Sequence, residues 1–255
     1  MPHFAANLTF LFNEVDFLER FAAAKKAGFD AVEFHYPYAW DKRVVRAALD
    51  EAHLQVVLIN IPAGGKDDFG LACLPGREAD FLAALLLALD YAVALGVPRI
   101  NCLAGLVAER ADASAYRTTF IANLKVASRE CRKAGLELMI EPLNTRDVPR
   151  FFLTHSRQAI DIIRATGAEN IKLQYDLYHM HIMEGALART LEELLPAIGH
   201  VQFADSPGRH EPGTGEIDFA FLFRHLDRIG YRGWISAEYH PSGKTADSLG
   251  WLRNG

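Results

Sequence analysis

Several features that mark whole function classes are scarce or missing in this sequence. Three cysteines occur in 255 residues, Cys73, Cys102 and Cys131. They lie far apart and form no CxxC pair. A zinc site built from cysteines is therefore excluded, and free thiols in a reducing compartment are expected. No run of basic residues is present, and the formal net charge is −5. A nucleic-acid partner, whose affinity would come from clustered Lys and Arg, is not expected. The most apolar stretch, 81–95, is broken by Asp90 and is too short to span a bilayer. The opening Met1-Pro2-His3-Phe4 lacks the charged and then apolar segments of a signal peptide. A cytoplasmic protein without a membrane partner is the expectation. No GxSxG is present, and no cysteine lies beside a suitable base, so a nucleophilic triad is not expected. No GxGxxG follows the first apolar run, so the dinucleotide fingerprint is missing too.

What is present is a repeated alternation. Half of the residues are hydrophobic, enough for a large core. Short apolar runs predict strands over 4–8, 29–34, 54–59, 98–103, 136–141, 171–176, 198–203 and 234–238. Helical spacing with glycine or proline stops predicts helices over 14–27, 41–52, 77–95, 112–133, 156–165, 184–195, 219–229 and 246–252. Eight such units in 255 residues predict an α/β fold closed into a (β/α)8 TIM barrel. An open doubly wound sheet is the runner-up. No linker or composition shift divides the chain, so a single TIM-barrel domain over 1–255 is expected. The Gly-rich connection 60–76 is the one weak boundary candidate. Its length suggests an active-site lid, with a plain surface excursion as the alternative.

The run Leu136-Glu137-Leu138-Met139-Ile140-Glu141-Pro142 organises the functional reading. Pro142 cannot donate to a sheet ladder, so the strand ends there and Glu141 stands at its carboxyl end. A buried carboxylate is costly unless it is paired or bound to a metal. Three later runs also end in an oxygen donor, at Asp176, Gln202 and Glu238. In a barrel of this kind function sits at the carboxyl ends of the strands. Asn7, Glu33, His35 and Asn60 fall at strand ends as well. Three anions converging without a counter-ion would be strongly unfavourable, and a divalent cation held by Glu141, Asp176, Gln202 and Glu238 resolves this. Oxygen-only donors suit Mg2+ or Mn2+ better than Zn2+. A 2+ ion leaves the set with about one negative charge, so an anionic substrate needs added positive groups. Arg209, His210 and His179 are candidates for holding a carboxylate or hydroxyl, and Asn7 and Lys66 are counted as substrate contacts with them. His181, His53, His225 and His200 read as ordinary core or surface residues.

The donors suggest the chemistry. A cation that polarises a hydroxy-ketone acidifies the neighbouring C–H. Glu141 and Glu238 are the natural pair to remove that proton and return it to the adjacent carbon through an enediolate, an aldose–ketose isomerisation. A sensor that binds a sugar acid without turnover would not need two such bases. The aromatic cluster Tyr36, Tyr38 and Trp40 reads either as a lid or as a partner surface. The oligomeric state is left open, with a homo-oligomer allowed.

The segments Asn60-Ile61-Pro62-Ala63-Gly64, Ile140-Glu141-Pro142-Leu143-Asn144, Gln174-Tyr175-Asp176-Leu177-Tyr178-His179-Met180 and Glu211-Pro212-Gly213-Thr214-Gly215-Glu216-Ile217 resemble those of the hydroxypyruvate isomerases, within the xylose isomerase-like barrel superfamily. The resemblance covers nearly the whole chain. It implies a (β/α)8 barrel that interconverts the hydroxy-keto acid hydroxypyruvate and tartronate semialdehyde. Glu141 and Glu238 would be the acid/base pair, and Glu141, Asp176, Gln202 and Glu238 the metal ligands. A sister group that isomerises 2-oxo-tetronates shares most of these motifs. Ketose 3-epimerases are related but carry His in place of Gln202. A metal-dependent abasic-site nuclease uses a similar barrel, but would need several His ligands and a basic face that this sequence lacks.

Overall fold

The computed structural model describes residues 2–65, 68–109 and 112–253. Eight parallel strands close into a barrel in chain order. They are β1 (His3–Asn7), β2 (Ala31–Phe34), β3 (Gln55–Asn60), β4 (Arg99–Asn101), β5 (Glu137–Ile140), β6 (Ile171–Asp176), β7 (Ile198–Phe203) and β8 (Trp234–Ala237). β1 pairs with β8, Phe4 opposite Ile235, and this seam completes the ring. The helices are α1 (Glu19–Lys26), α2 (Lys42–Ala52), α3 (Glu78–Leu95), α4 (Ala113–Lys133), α5 (Ser156–Thr166), α6 (Leu177–Met183), α7 (Leu187–Leu194) and α8 (Phe219–Ile229). Among the described residues no helix is long and apolar enough to cross a membrane.

The strands form where the apolar runs predict them, because both faces are covered. Outward-facing side chains pack under the helices in one large core that includes Phe21, Leu49, Leu85, Leu124, Leu191 and Phe223. A second, small cluster of Ala5, Ala31, Val57, Leu58 and Met139 lies apart from it. Side chains two apart on a strand share a face. Asn7, Glu33 and Glu141 thus stand above Ala5, Ala31 and Met139, and the barrel interior passes from an apolar floor to polar upper layers.

Four local differences from the sequence expectation have visible causes. The first helix begins at Glu19, not near residue 14, because Glu14 and Phe12 are tied elsewhere. The Glu14 carboxylate accepts from the Thr245 backbone and, at 3.1 Å, from its hydroxyl, while the Phe12 N–H donates to that hydroxyl at 2.8 Å. The expected last helix is two 3-10 turns, Thr245–Ser248 and Gly250–Arg253. The helix expected over 184–195 starts at Leu187. Ahead of it, the unexpected helix α6 begins directly after β6, because the Asp176 side chain caps it by accepting from the Tyr178 N–H at 2.7 Å.

The connection after β3 is pinned at its second half. A Cβ on Gly70 would lie 2.2 Å from the Leu103 carbonyl oxygen, and one on Gly105 2.6 Å from the Gly70 carbonyl oxygen. Both glycines also have positive φ, so only glycine permits this approach. The Cys73 N–H donates to the Ala104 carbonyl at 2.8 Å and extends the attachment. Lys66, expected to touch substrate, lies outside the described residues.

Candidate active site

A cavity of about 220 Å3 opens at the carboxyl ends of the strands, with Phe10, His35, Glu141, His179, Arg209 and Glu238 on its walls. Phe69, from the pinned connection, and Tyr36 also line it. Of the aromatic cluster, only Tyr36 reaches this cavity. The Tyr38 hydroxyl donates to the Asn60 carbonyl, and Trp40 packs on Phe17 with ring centroids 4.3 Å apart.

Three carboxylates converge there. Glu141 follows β5 and Glu238 follows β8, while Asp176 closes β6; their exposures are 4%, 3% and 0%. One oxygen of each is engaged by the protein. Glu141 Oε2 accepts from Asn101 Nδ2 at 2.7 Å. Asp176 Oδ1 caps α6. Glu238 Oε1 accepts from Arg209 Nη2 at 2.8 Å and lies 3.3 Å from His35 Nε2. Asp176 Oδ2 and Glu238 Oε2 are buried and make no hydrogen bond. Burial, then the charge of Glu238, pushes the Asp176 carboxyl up to about 7. Burial, then Glu238 and Asp176, lifts Glu141 well above the usual carboxylate range. Perturbed carboxyls of this kind cluster at functional sites.

Arg209 is the cation facing this set. It lies on the loop after β7 with φ of 57°, its guanidinium 5.0 Å from the Phe10 ring centroid and 5.4 Å from that of Tyr178. Its Nη2 is 3.9 Å from Asp176 Oδ2. The loop owes its shape to Asp205, which is fully buried. Asp205 Oδ1 accepts from the N–H groups of Ser206 and Ile217 at 2.8 and 3.1 Å, and Oδ2 from those of Gly213 and Gly215 at 2.8 and 2.9 Å. A Cβ on Gly215 would lie 2.2 Å from the Ser206 carbonyl oxygen. The Glu-Pro-Gly-Thr-Gly-Glu-Ile motif is thus the turn that wraps this carboxylate and presents Arg209. His210, expected beside Arg209 in the site, turns away, with Nδ1 2.7 Å from the His240 carbonyl oxygen.

His179 is buried on α6. Its Nδ1 accepts from the Asn144 backbone N–H at 3.2 Å. A backbone N–H can only donate, so Nδ1 carries no proton. Burial, then the charge of Arg209, holds the imidazole well below its usual pKa. The neutral ring therefore bears its hydrogen on Nε2, 3.6 Å from Asp176 Oδ2. Glu141, Asp176 and His179 could hold a metal ion by position, each offering an atom within 4.8 Å of the others. With hydrogen on Nε2, however, His179 is a donor to a ligand oxygen, and the carboxylates are the better ligands.

Gln202 and Asn7 sit one layer lower. Gln202 Nε2 donates to Glu33 Oε1 at 2.6 Å, and its Oε1 accepts from Gln174 at 2.6 Å. A carboxamide oxygen has two lone pairs, so Gln202 Oε1 can accept from Gln174 and still offer a lone pair to a cation. Asn7 is fully buried and donates to Glu33 at 2.9 Å, with its amide nitrogen 3.3 Å from His35 Nε2. Glu33 is also paired with His200, Oε2 to Nε2 at 2.6 Å, both at 0% exposure. Burial alone would raise the Glu33 carboxyl, but the His200 charge and hydrogen bonds outweigh it and hold it below its usual range. His200 is thus not an ordinary core histidine, and the Glu33–His200 pair escaped sequence reasoning. The residues are 167 positions apart, and the only signal was a charged residue at an inward position on each of two apolar strands.

The chain matches the family described as xylose isomerase-like TIM barrel over residues 21–255. It is 44% identical to a 2-oxo-tetronate isomerase of Cupriavidus necator over 99% of this chain and 98% of that protein. It is 42% identical to the hydroxypyruvate isomerase of Escherichia coli, again over 99% and 98%. A crystal structure from Brucella melitensis, described as an AP endonuclease of family 2, superposes with a TM-score of 0.96 at 41% identity, covering 100% of this chain and 99% of that one. Fold, strand-end carboxylates and full-length similarity agree: the chain belongs to the xylose isomerase-like TIM-barrel family, as an enzyme of the isomerase class.

Proposed function

We propose that the protein interconverts hydroxypyruvate and tartronate semialdehyde by moving a proton between adjacent carbons through an enediolate. The observation that carries this reading is the convergence of Glu141, Asp176 and Glu238, with Glu141 and Glu238 on the wall of one small cavity and Asp176 fully buried beside them, two of the three with an unpartnered buried oxygen, next to Arg209. Those oxygens fit a hard divalent cation, Mg2+ or Mn2+, held by Glu141, Asp176 and Glu238, with Gln202 Oε1 as a further oxygen donor through its second lone pair. Bound there, the cation would supply Lewis-acid polarisation of the substrate carbonyl and offset the carboxylate charge.

The chain's own residues do the rest. Arg209 and the Nε2–H of His179 donate to the substrate's carboxylate and oxygens. Glu141 and Glu238, just past strands β5 and β8, flank the two reacting carbons; one takes the proton from the hydroxymethyl carbon, the pair delivers a proton to the neighbouring carbon, and the terminal hydroxyl's proton passes to the former keto oxygen. Phe10, Leu143 and Val148 make part of the cavity wall apolar. Asn7 supports Glu33 and His35 from below and does not itself reach the cavity.

A 2-oxo-tetronate is the second substrate reading, favoured by the 44% identical relative of that name. Nuclease activity is not favoured, since the chain has a net charge of −5 and no basic run. Proton NMR in D2O with hydroxypyruvate, and separately with a 2-oxo-tetronate, tests the proposal. Product carrying solvent deuterium is expected with Mg2+ and lost with EDTA. Glu141→Gln and Glu238→Gln should each slow turnover by about 10²–10⁴-fold. Unimpaired isomerisation by either variant would sink the acid/base assignment, and turnover of the tetronate alone would change the substrate and keep the chemistry.

A further inference from the structure

His179 lies on α6 and Arg209 on the loop after β7, yet one side chain outside the cavity reaches the supports of both. Asp147 lies on the exposed loop after β5. Its Oδ2 accepts from the Tyr178 hydroxyl at 2.9 Å and from Asn144 Nδ2 at 3.0 Å. Tyr178 presents its ring to Arg209, and that ring lies 5.3 Å from the His179 ring. Asn144 holds His179 directly, through its backbone N–H and through Nδ2, which lies 2.7 Å from Nδ1. The direction of the Asn144 amide is fixed independently. Its Oδ1 accepts from the backbone N–H groups of Arg146 and Asp147 at 3.0 and 2.8 Å, and those groups can only donate. The other end is therefore the NH2, which has two hydrogens for its two acceptors, Asp147 and His179.

We propose that Asp147 is a positioning residue: it closes Asn144 and Tyr178 into one hydrogen-bonded clasp that sets the pose of both substrate donors, His179 and Arg209. The inference rests on the reading that these two groups hold the substrate. The clasp makes no direct contact with Glu141 or Glu238 and reaches Glu238 through Arg209, whose Nη2 donates to Oε1 at 2.8 Å, so its main effect falls on the grip on substrate. Asp147 is exposed and stands outside the apolar core, so its replacement opens no cavity there.

The test uses Asp147→Ala, Asp147→Asn, Tyr178→Phe and the Asp147→Ala/Tyr178→Phe double variant. Asp147→Ala and Tyr178→Phe should each raise KM for the oxo-acid substrate about tenfold, the loss of roughly one net hydrogen bond, with kcat within about threefold. The double variant should be no worse than the stronger single one, since both remove the same contact. Asp147→Asn, which keeps an acceptor oxygen, should recover most of the loss. Mn2+ affinity, titrated by electron paramagnetic resonance without substrate, should be unchanged in all four. Wild-type KM in Asp147→Ala, additive effects in the double variant, or joint loss of Mn2+ affinity and melting temperature would overturn the proposal. One readout is independent of the substrate assignment. In 15N NMR the His179 ring, identified by its disappearance in His179→Gln, should shift in Asp147→Ala; an unmoved ring overturns the clasp even if wild-type protein turns over neither oxo acid.

Discussion

Asp176 does three things with two oxygens. Oδ1 caps α6, Oδ2 faces the cavity, and the same backbone corner places His179 one turn on. Its carboxyl, pushed up to about 7 by burial and the nearby Glu238, makes cation binding a proton-linked event. Near pH 6.5 a bound Mg2+ should displace a proton from Asp176, seen as a calorimetric binding enthalpy that varies with the ionisation enthalpy of the buffer. A buffer-independent enthalpy would contradict this. The same shift has a sign for stability. The Asp176 and Glu141 carboxyls both have raised folded-state values, so the folded cation-free protein holds protons that the unfolded chain releases near pH 4. The Asp176 contribution is fully present below that unfolded value and is lost as pH rises through about 7, and that of Glu141 is lost in the same direction. Urea melts of cation-free protein should therefore show wild type losing stability relative to Asp176→Asn between about pH 5 and 8, with Mg2+ restoring it at the upper end. Parallel pH curves for the two proteins would refute the assignment.

At the scale of elements, the loop after β7 is the most strongly specified connection. Its four N–H groups on Asp205 leave little freedom, and Gly215 sits where any side chain would meet the Ser206 carbonyl. Asp205→Ala strands several buried donors, each costing about 1–3 kcal/mol before water relieves them. Denaturant melts should show a loss of about 2 kcal/mol or more, with a raised KM as Arg209 drifts. Gly215→Ala should act in the same direction. The contrast with β6 shows what a sequence displays. Apolar runs ending at Glu141, Asp176 and Glu238 exposed both the barrel and the three converging carboxylates, because burial and strand endings leave a local pattern, whereas Gln202 is held one layer lower by Glu33 and Gln174. The start of α6 left none, since Asp176 is at once a strand residue and a helix cap and no turn residues intervene. His210 was misread for a similar reason: adjacency to Arg209 suggested a shared direction, whereas the left-handed backbone at Arg209 sends the next side chain to His240. Asn144 and Asp147 stood in plain view after Glu141, but their link to His179 requires α6 to fold back over the loop.

Across the whole molecule, the Glu33–His200 pair spans the barrel from β2 to β7 and ties Gln202 and Asn7 into one polar layer. His200 Nδ1 and Gln174 Oε1, in the same layer, have no hydrogen bond. Removing one partner leaves the other buried and unpaired, so Glu33→Gln or His200→Leu should cost about 3–5 kcal/mol. Replacing both, as Glu33→Met with His200→Leu, should cost less than the sum of the two single changes. An additive pair of losses in urea melts would show that the two do not act together. The seam between β1 and β8 carries a different consequence, one for the order of events during synthesis. Until Trp234–Ala237 has emerged, β1 and β7 remain as two open edges, each a row of unpaired N–H and C=O groups able to recruit another chain. The last strand also brings Glu238, so the chain cannot hold its cation in the proposed way before the ring closes. A ribosome-stalled chain ending before β8 should bind chaperone and aggregate on release. Extending it through β8 should abolish both behaviours at the length where Mn2+ first binds.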